Sequence, residues 1–203
     1  MSFKDRLQTA TILFAGVSFF YFTELLFEIL AFVHLLSVLE VLGQISQVSL
    51  TVQKKLLTLL CYTISVAPLT CSILCRPTDA LLWTSVVINT ANDALQFLCG
   101  RYCPNWILSS RKIGAISPQK TYRGYFLGTL ICAIIFQELL SLEFFFLLTT
   151  LGLSSLGDLF MSGLKRHLRI KRYSTILGSH GGITDRADSF MFSTPFLIFS
   201  SPR

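Results

Sequence analysis

Residues 56–75 read LLTLLCYTISVAPLTCSILC and carry no charged side chain. Lys54 and Lys55 precede this stretch and Arg76 follows it. A helix needs about 20 mainly apolar residues to cross the hydrocarbon core of a bilayer. The stretch has that length, so it predicts a transmembrane helix and places the chain among membrane proteins.

The composition of the whole chain agrees with this interpretation. Of its 203 residues, 52% are hydrophobic and only 14% are charged, and the mean hydropathy is +0.63. An average soluble domain carries about 25% charged residues. These values exclude a disordered chain and a disulfide-stapled secreted domain, and they argue against an ordinary soluble globule. We therefore predict an all-α fold, a polytopic integral membrane helical bundle.

Further apolar stretches bring the prediction to about six to seven transmembrane helices, each near the length that a bilayer requires. They are residues 7–49, which are long enough for two spans, and then 80–99, 125–137, 142–164 and the short run 189–201. The first of these stretches is interrupted by Glu24, Glu28, His34 and Glu40. The predicted division is an N-terminal group of transmembrane helices, 1–75, followed by a core that carries the polar motifs, 76–203.

The basic residues are distributed unevenly between the two sides of this predicted bundle. With the N-terminus in the cytoplasm and two spans before Lys54, 15 of the 17 Lys and Arg residues fall on the cytoplasmic side, leaving Arg76 and Arg203 outside. Basic loops orient membrane proteins in this way. The net charge of +6 is thus explained without nucleic acid, for which short basic loops without interleaved aromatic residues are a poor match.

Acidic residues within or beside apolar spans are the first candidates for a functional site, because they are costly there. Asp93 and Asp158 lie inside predicted spans, and Asp185 and Asp188 are three residues apart. A helix that begins near Thr184, with Thr184 as its N-cap, would place the last two on one face and explain them without any catalysis.

That simple explanation leaves out the neighbours of these acids. Basic residues, hydroxyls and a Gly-Gly pair surround them in the sequence: Lys165, Arg166, Lys171, Ser179-His180-Gly181-Gly182, and Ser117, Lys120 and Thr121 in an upstream turn. Glycines let backbone N–H groups approach a phosphate, basic side chains neutralise it, and carboxylates hold a divalent metal. Together they indicate a phosphoryl- or nucleotidyl-transfer site that faces a lipid surface.

The chain also resembles a known family, the phosphatidate cytidylyltransferases, also called CDP-diacylglycerol synthases. The family signature runs Ser-x-Leu-Lys-Arg, then a Lys, then His-Gly-Gly-x-x-Asp-Arg-x-Asp. The residues that match it in register are Ser162, Leu164, Lys165, Arg166, Lys171, Ser174, Leu177, Gly178, His180, Gly181, Gly182, Ile183, Asp185, Arg186 and Asp188. Upstream matches are Asn92-Asp93 before Gly100-Arg101, the turn 116–121, and Gly157-Asp158-Leu159. The resemblance covers roughly residues 80–200.

The resemblance implies a reaction in which CTP and phosphatidate give CDP-diacylglycerol and pyrophosphate with Mg²⁺, a second, monovalent cation being a further option. It implies that Asp158, Asp185 and Asp188 hold the metal and, with Lys165, form the catalytic group. The implied substrate-binding residues are Lys120, Ser117, Thr121, Arg166, Lys171, His180, Gly181, Gly182, Arg186 and Asp93. The implied location is the cell membrane, where a multi-pass protein in the lipid bilayer has its active site on the cytoplasmic side; a homodimer is left open.

Three positions depart from the family pattern, since Arg123, Met161 and Arg172 stand where acidic residues are usual. Met161 follows Asp158 by three residues, which favours one helical face for both. The sequence therefore predicts a site with less negative charge and a higher Mg²⁺ requirement. Two alternatives remain at this point, namely a catalytically weakened relative with a structural role and a membrane transporter, because acids in membranes often mark ion paths.

The uneven distribution of basic residues gives a topological prediction, in which segments 100–124 and 165–183 are both cytoplasmic. Single cysteines in place of Ser110 and Ser174, in a background without the six native cysteines, should both be shielded from a membrane-impermeant thiol reagent in intact cells. Labelling of one position but not of the other would contradict a shared site.

Overall fold

A computed structural model describes residues 15–16, 18–19, 21–22, 25–103, 112–114, 117–174, 176 and 181–200. Its elements, in chain order, are α1 (Leu26–Gln47), α2 (Val52–Leu74), α3 (Asp79–Tyr102), β1 (Lys112–Ile113), β2 (Ser117–Thr121), α4 (Tyr122–Leu140), α5 (Phe144–His167), α6 (Thr184–Ala187) and α7 (Phe190–Ser200). The predicted all-α membrane bundle is confirmed, with one short antiparallel hairpin, β1–β2, that the sequence did not suggest.

Among the described residues, four helices are long and apolar enough to cross a membrane: α1, α2, α4 and α5. The predicted span 56–75 is α2, and the second of the two spans predicted in 7–49 is α1. Most of the first lies outside the described residues. The last apolar run forms α7, a helix of only 11 residues with Pro195 inside it.

Helix α3 is also long, at 24 residues, but it is not among the four because one face of it is polar. Ser85, Asn89, Asn92 and Gln96 follow one another at helical spacing and are all buried. Asn89 accepts a hydrogen bond from Ser193 of α7, 2.9 Å between Oδ1 and Oγ. The Gln96 amide donates to Ser155 of α5, 2.6 Å between Nε2 and Oγ. We call these four residues the polar seam; it faces the other helices, and each of the four makes at least one hydrogen bond to them.

Two apolar clusters hold the bundle together. The first joins Val41 and Ile45 of α1 with Tyr62 of α2 and Met161 of α5. The second joins Ile88 of α3, Cys132 and Ala133 of α4, and Leu147 and Leu151 of α5, together with Leu197 of α7. The first cluster contains residues from both sides of position 75. The division into 1–75 and 76–203 stays a prediction, and the two parts pack as neighbours.

Local chain geometry brings the hairpin to the bundle. Thr121 ends β2 and is the N-cap of α4, where its hydroxyl accepts a hydrogen bond from the Gly124 N–H at 3.2 Å. Such a cap satisfies one of the free N–H groups of a first helical turn. Strand and helix are therefore joined without a loop, and Lys120 is held two residues before the helix begins.

Helices α3 and α4 approach each other closely at Gly128. A Cβ atom built on this glycine would lie 2.5 Å from both the Cα and the backbone nitrogen of Gln96. Those are backbone atoms, so they cannot rotate away as a side chain could. By contrast, a Cβ atom built on Gly152 of α5 would meet nothing within 4 Å.

We expect Gly128→Ala to lower the free energy of unfolding by about 1–3 kcal/mol, the usual cost of forcing extra atoms into a packed interior. The matched control is Gly152→Ala, which should be neutral or stabilising by up to about 1 kcal/mol, because alanine favours a helix over glycine. Thermal unfolding in detergent measures both. Equal effects of the two substitutions would contradict the close helix contact.

Candidate active site

Asp158 and Lys120 form the first ion pair of the candidate site. Asp158 lies late in α5 and Lys120 lies at the end of β2, and Nζ of Lys120 donates to Oδ2 of Asp158. The Tyr125 hydroxyl donates to the same oxygen at 2.5 Å, and the lysine nitrogen lies 5.1 Å from the centre of the tyrosine ring. Hydrogen bonds to an ionised group are shorter and stronger than those between neutral groups. Burial alone would lower the pKa of Lys120, but the charges of Asp158 and Asp93 outweigh it and leave that pKa raised.

Lys165 and Asp185 form the second ion pair, with 2.8 Å between Nζ and Oδ1. Lys165 follows Asp158 by seven residues, two helical turns later on the same face of α5. The other oxygen of Asp185, Oδ2, accepts hydrogen bonds from the backbone N–H groups of Tyr173 at 3.2 Å and Gly182 at 3.0 Å. Both carboxylate oxygens of Asp185 are therefore engaged by donors from this chain, so Asp185 fixes the conformation of the segment around it.

Asp188 and Asp93 complete the charged group. Oδ2 of Asp188 lies 3.6 Å from Nζ of Lys165, and the Ser189 hydroxyl lies 3.4 Å from Oδ2 of Asp93. Burial raises the pKa of Asp188 well above its ordinary value, the negative charge of Asp158 raises it further, and Lys165 opposes both. Asp188 lies beside the face of α5 that carries Asp158 and Lys165, although it belongs to a different element.

The structure thus brings together six of the predicted site residues, namely Asp93, Lys120, Asp158, Lys165, Asp185 and Asp188. Ser117 is buried in β2, and Arg166, Lys171 and Arg186 are exposed. Thr121 serves as the N-cap of α4. Gly181 has a φ of 90°, a conformation that suits glycine. His180 lies outside the described residues.

Thr184 is not the N-cap that the sequence suggested. It is the first residue of α6, whose N-cap residue, Ile183, makes no side-chain capping hydrogen bond. The Thr184 hydroxyl instead donates to the backbone carbonyl of Ser37 in α1, at 3.1 Å. The prediction was wrong because the N–H groups of this turn are satisfied by a residue distant in sequence, Glu40.

Residues 3–201 of the chain match the model of the Cytidylyltransferase family. The chain belongs to this family. It is 46% identical over 110 residues to the phosphatidate cytidylyltransferase of Bacillus subtilis, an alignment that covers 49% of this chain and 41% of that protein. It is 43% identical over 130 residues to the enzyme of the same name from Staphylococcus haemolyticus, covering 53% of this chain and 50% of that protein.

A third relative, the phosphatidate cytidylyltransferase of Staphylococcus epidermidis strain RP62A, is 41% identical over 109 residues, covering 48% of this chain and 42% of that protein. In each of these three alignments, the chain spans half or less of the relative's length. No solved structure matches the chain significantly. The recognition made from the signature residues is confirmed by the family match.

The donors at this cytidylyltransferase-family site fit a magnesium ion that is shared with phosphates. Within the described part of the chain, no group of three or more His, Cys, Asp or Glu side chains is gathered closely enough to hold a metal by itself. Mg²⁺ is commonly bound by one or two carboxylates together with substrate phosphates and water. Asp188 and Oδ1 of Asp158 could supply such a pair, because Lys120 and Tyr125 both bond Oδ2 of Asp158. Asp185 is engaged at both oxygens by Lys165 and two N–H groups.

Two of the positions that depart from the family pattern lie in places that the sequence did not suggest. Met161 is fully buried and belongs to the first apolar cluster, with Tyr62 and Val41. Arg123 is also buried, and its Nη2 donates to the backbone carbonyl of Gly100 in the last turns of α3, at 2.8 Å. A cation is favourable at the carboxyl end of a helix. Both residues therefore have packing roles, and the high Mg²⁺ requirement stays a prediction.

Three contributors to this site were missed from the sequence: Tyr125, Tyr173 and Glu40. The two tyrosines lie beside lysines. The ring centre of Tyr125 is 5.1 Å from Nζ of Lys120, and the ring centre of Tyr173 is 5.7 Å from Nζ of Lys165. No spacing rule identifies such a pair in advance. Glu40 did leave a signal, because it interrupts an otherwise apolar helix, but the sequence does not say what it contacts.

We expect Met161→Glu to destabilise the protein by several kcal/mol, because it places an unpaired carboxylate in an apolar cluster. The control Met161→Leu keeps volume and polarity and should cost less than about 1.5 kcal/mol. Thermal unfolding in detergent, with and without Mg²⁺, gives both values. A stable Met161→Glu variant that is further stabilised by Mg²⁺ would contradict the packing role.

Proposed function

We propose that this chain transfers the cytidylyl group of CTP to phosphatidate, giving CDP-diacylglycerol and pyrophosphate. The observation that carries the proposal is a pair of partly buried lysine–aspartate contacts, Lys120 with Asp158 and Lys165 with Asp185, gathered beside Asp188 at the end of the apolar helix α5. Family membership supports the same reaction class. The names of the relatives supply the lipid substrate, phosphatidate.

The chemistry needs no nucleophile from the protein. An oxygen of the phosphatidate phosphate attacks the α-phosphorus of CTP, a new P–O–P linkage forms, and the bond to the β-phosphate breaks to release pyrophosphate. Two anionic substrates must approach each other, so the main task is to neutralise their charge and hold them in line. Lys120 and Lys165 are suited to that task, since the first is partly buried, the second is buried, and each now has a carboxylate as its partner.

The carboxylates and the exposed cations divide the remaining tasks in this proposal. Asp158 and Asp188 would hold Mg²⁺, which neutralises and orients phosphate oxygens in transfers of this kind. Asp185 keeps the Gly181-Gly182 turn closed through its bond to the Gly182 N–H. Three exposed cations lie within residues 165–188, namely Arg166, Lys171 and Arg186. They would receive the outer phosphates of CTP or the lipid headgroup.

The position of the site favours a lipid substrate. The last turn of α5 carries Lys165, Arg166 and His167, and the rest of that helix is apolar enough to span a bilayer. Large apolar side chains such as Phe126 and Phe145 are more than 70% exposed on the helices, as expected for surfaces in contact with lipid tails. We place this end of α5 at the cytoplasmic face of the cell membrane, because the basic residues concentrate there. A homodimer stays a prediction.

A transporter would also use charged residues inside a bundle, but two features favour the enzyme. The charges form lysine–aspartate pairs with hydrogen-bonded backbone turns rather than a series of acids along a path. The chain also carries the Asp185-Arg186-x-Asp188 end of the signature at the point where those pairs meet.

The proposal predicts that purified protein with phosphatidate, Mg²⁺ and radiolabelled CTP moves label into the lipid phase. Asp158→Asn and Asp188→Asn should lower the rate about 100-fold or more, the usual effect of removing a charged group that acts on the transition state. Asp188→Asn should also raise the Mg²⁺ concentration needed for half-maximal rate. Lys120→Ala should mainly raise the apparent KM for CTP.

The matched control is Asp79→Asn, which removes an acid from the first turn of α3 and should leave the rate unchanged. Asp185→Asn should slow the reaction without moving the Mg²⁺ midpoint, because that carboxylate is engaged by Lys165 and backbone donors. Absence of labelled lipid with the wild-type protein would overturn the proposed function. Near-normal rates in both Asp158→Asn and Asp188→Asn would overturn the metal role.

A further inference from the structure

Glu40 is an acidic residue in the middle of α1, a helix apolar enough to span a membrane. Its carboxylate accepts three hydrogen bonds from a single region of the chain that begins 134 residues later. Oε1 accepts from the Ser174 hydroxyl and from the Ile183 N–H at 3.2 Å, and Oε2 accepts from the Thr184 N–H at 2.7 Å. A carboxylate with this many donors is a fixed point, because leaving any one of them unpaired in a buried setting is costly.

Ser37 reinforces the same contact from one helical turn earlier. Its backbone carbonyl accepts from the Thr184 hydroxyl at 3.1 Å, and its own hydroxyl lies 3.1 Å from that hydroxyl. Ser37 and Thr184 are both fully or nearly fully buried. Residues 37 and 40 share one face of α1, so this face binds the turn that begins α6.

Gly182 shows how closely the two parts fit. A Cβ atom built on Gly182 would overlap Oε1 of Glu40 and would lie 2.7 Å from its Cδ and 2.8 Å from Oε2. The backbone of Gly182 is outside the left-handed region, whereas Gly181 has a φ of 90°. The second glycine of the His-Gly-Gly sequence therefore lacks a side chain because the Glu40 carboxylate occupies that space.

The contact leads directly into the charged site. The Gly182 N–H donates to Oδ2 of Asp185, and Oδ1 of Asp185 bonds Nζ of Lys165. Asp188 follows in the same short segment, 3.6 Å from the same lysine. Any displacement of residues 182–184 from α1 would move both acids relative to Lys165.

We propose that Glu40 is a positioning residue for the reaction: it anchors residues 182–184 to α1 and so sets the placement of Asp185 and Asp188 against Lys165. This inference rests on the proposed function for its catalytic consequence. Glu40 bonds Ser174, Ile183 and Thr184, and it acts through the segment that it holds. It also gives the N-terminal helices a part in the site, beyond that of generic membrane spans.

The first test measures hydrogen exchange of the segment 181–188 in the full-length protein in detergent, without substrate. Glu40→Gln keeps the side-chain volume but can accept at only one of the two positions, so exchange at Ile183 and Thr184 should speed up about tenfold. Glu40→Ala should give a larger effect. The matched control is Glu28→Gln, an exposed acid on the same helix, which should leave exchange unchanged. Wild-type exchange rates in both Glu40 variants would overturn the anchor.

The kinetic readout separates positioning from substrate binding. In the labelled-CTP assay, Glu40→Gln should lower kcat about tenfold and leave the KM for CTP within about threefold, because the residue makes no bond to the nucleotide in this proposal. A change confined to KM would overturn the positioning role. If wild-type protein transfers no cytidylyl group at all, the proposed function fails, and the exchange measurement still decides whether Glu40 anchors the segment.

A double-mutant cycle tests the fit between Glu40 and Gly182. Gly182→Ala alone should displace the Glu40 carboxylate from the N–H groups of Ile183 and Thr184, because its methyl group takes that space, and it should therefore reduce exchange protection about as much as Glu40→Ala. In the Glu40→Ala background that space is open, so adding Gly182→Ala should cause little further loss in exchange protection or in kcat. Strong non-additivity is the signature of two groups in contact. Additive effects of the two substitutions would overturn the proposed contact.

Discussion

Charge pairing among apolar helices is the constraint on which the site depends. Asp158 is carried by a helix that is apolar enough to span a bilayer, and a carboxylate there is tolerated only with a partner. Lys120 supplies that partner, so the β1–β2 hairpin must lie against α5. Lys165, two turns later, requires the segment 181–188 to return to the same end of α5. The ion pairs thus decide which connections between helices are allowed, and the reactive groups are gathered as a result.

Much of the bundle could be predicted because apolar length is a strong local signal. Helices α2, α4 and α5 lie close to the expected stretches, and the signature residues identified the acids and lysines that meet. The sequence could not give neighbours between helices. Helical spacing placed Met161 near Asp158, but only the position of α2 reveals that Met161 packs against Tyr62. Thr184 likewise looked like a cap until Glu40, a residue of another helix, proved to bind that turn.

The two parts of the chain also differ in how much their sequence reveals about the site. The signature lies in the second part, where residues recur in a fixed order. Glu40 of α1 belongs to no such motif, and its role is evident only from the three donors that bind its carboxylate. Gly182 gives the complementary observation, because the Glu40 carboxylate fills the space that a side chain at position 182 would need. Read together, the two positions describe one contact between distant parts of the sequence.

The polar seam of α3 has a consequence for how the protein is made. Asn89, Asn92 and Gln96 would meet hydrocarbon if α3 left the insertion machinery as a single helix, and unsatisfied polar groups are costly there. Their partners come from α4 and α5, and for Ser85 and Asn89 from Thr194 and Ser193 of α7. Helix α3 therefore reaches its final environment only after α7 has been synthesised. The folding of α3 in the membrane is therefore coupled to that of α7.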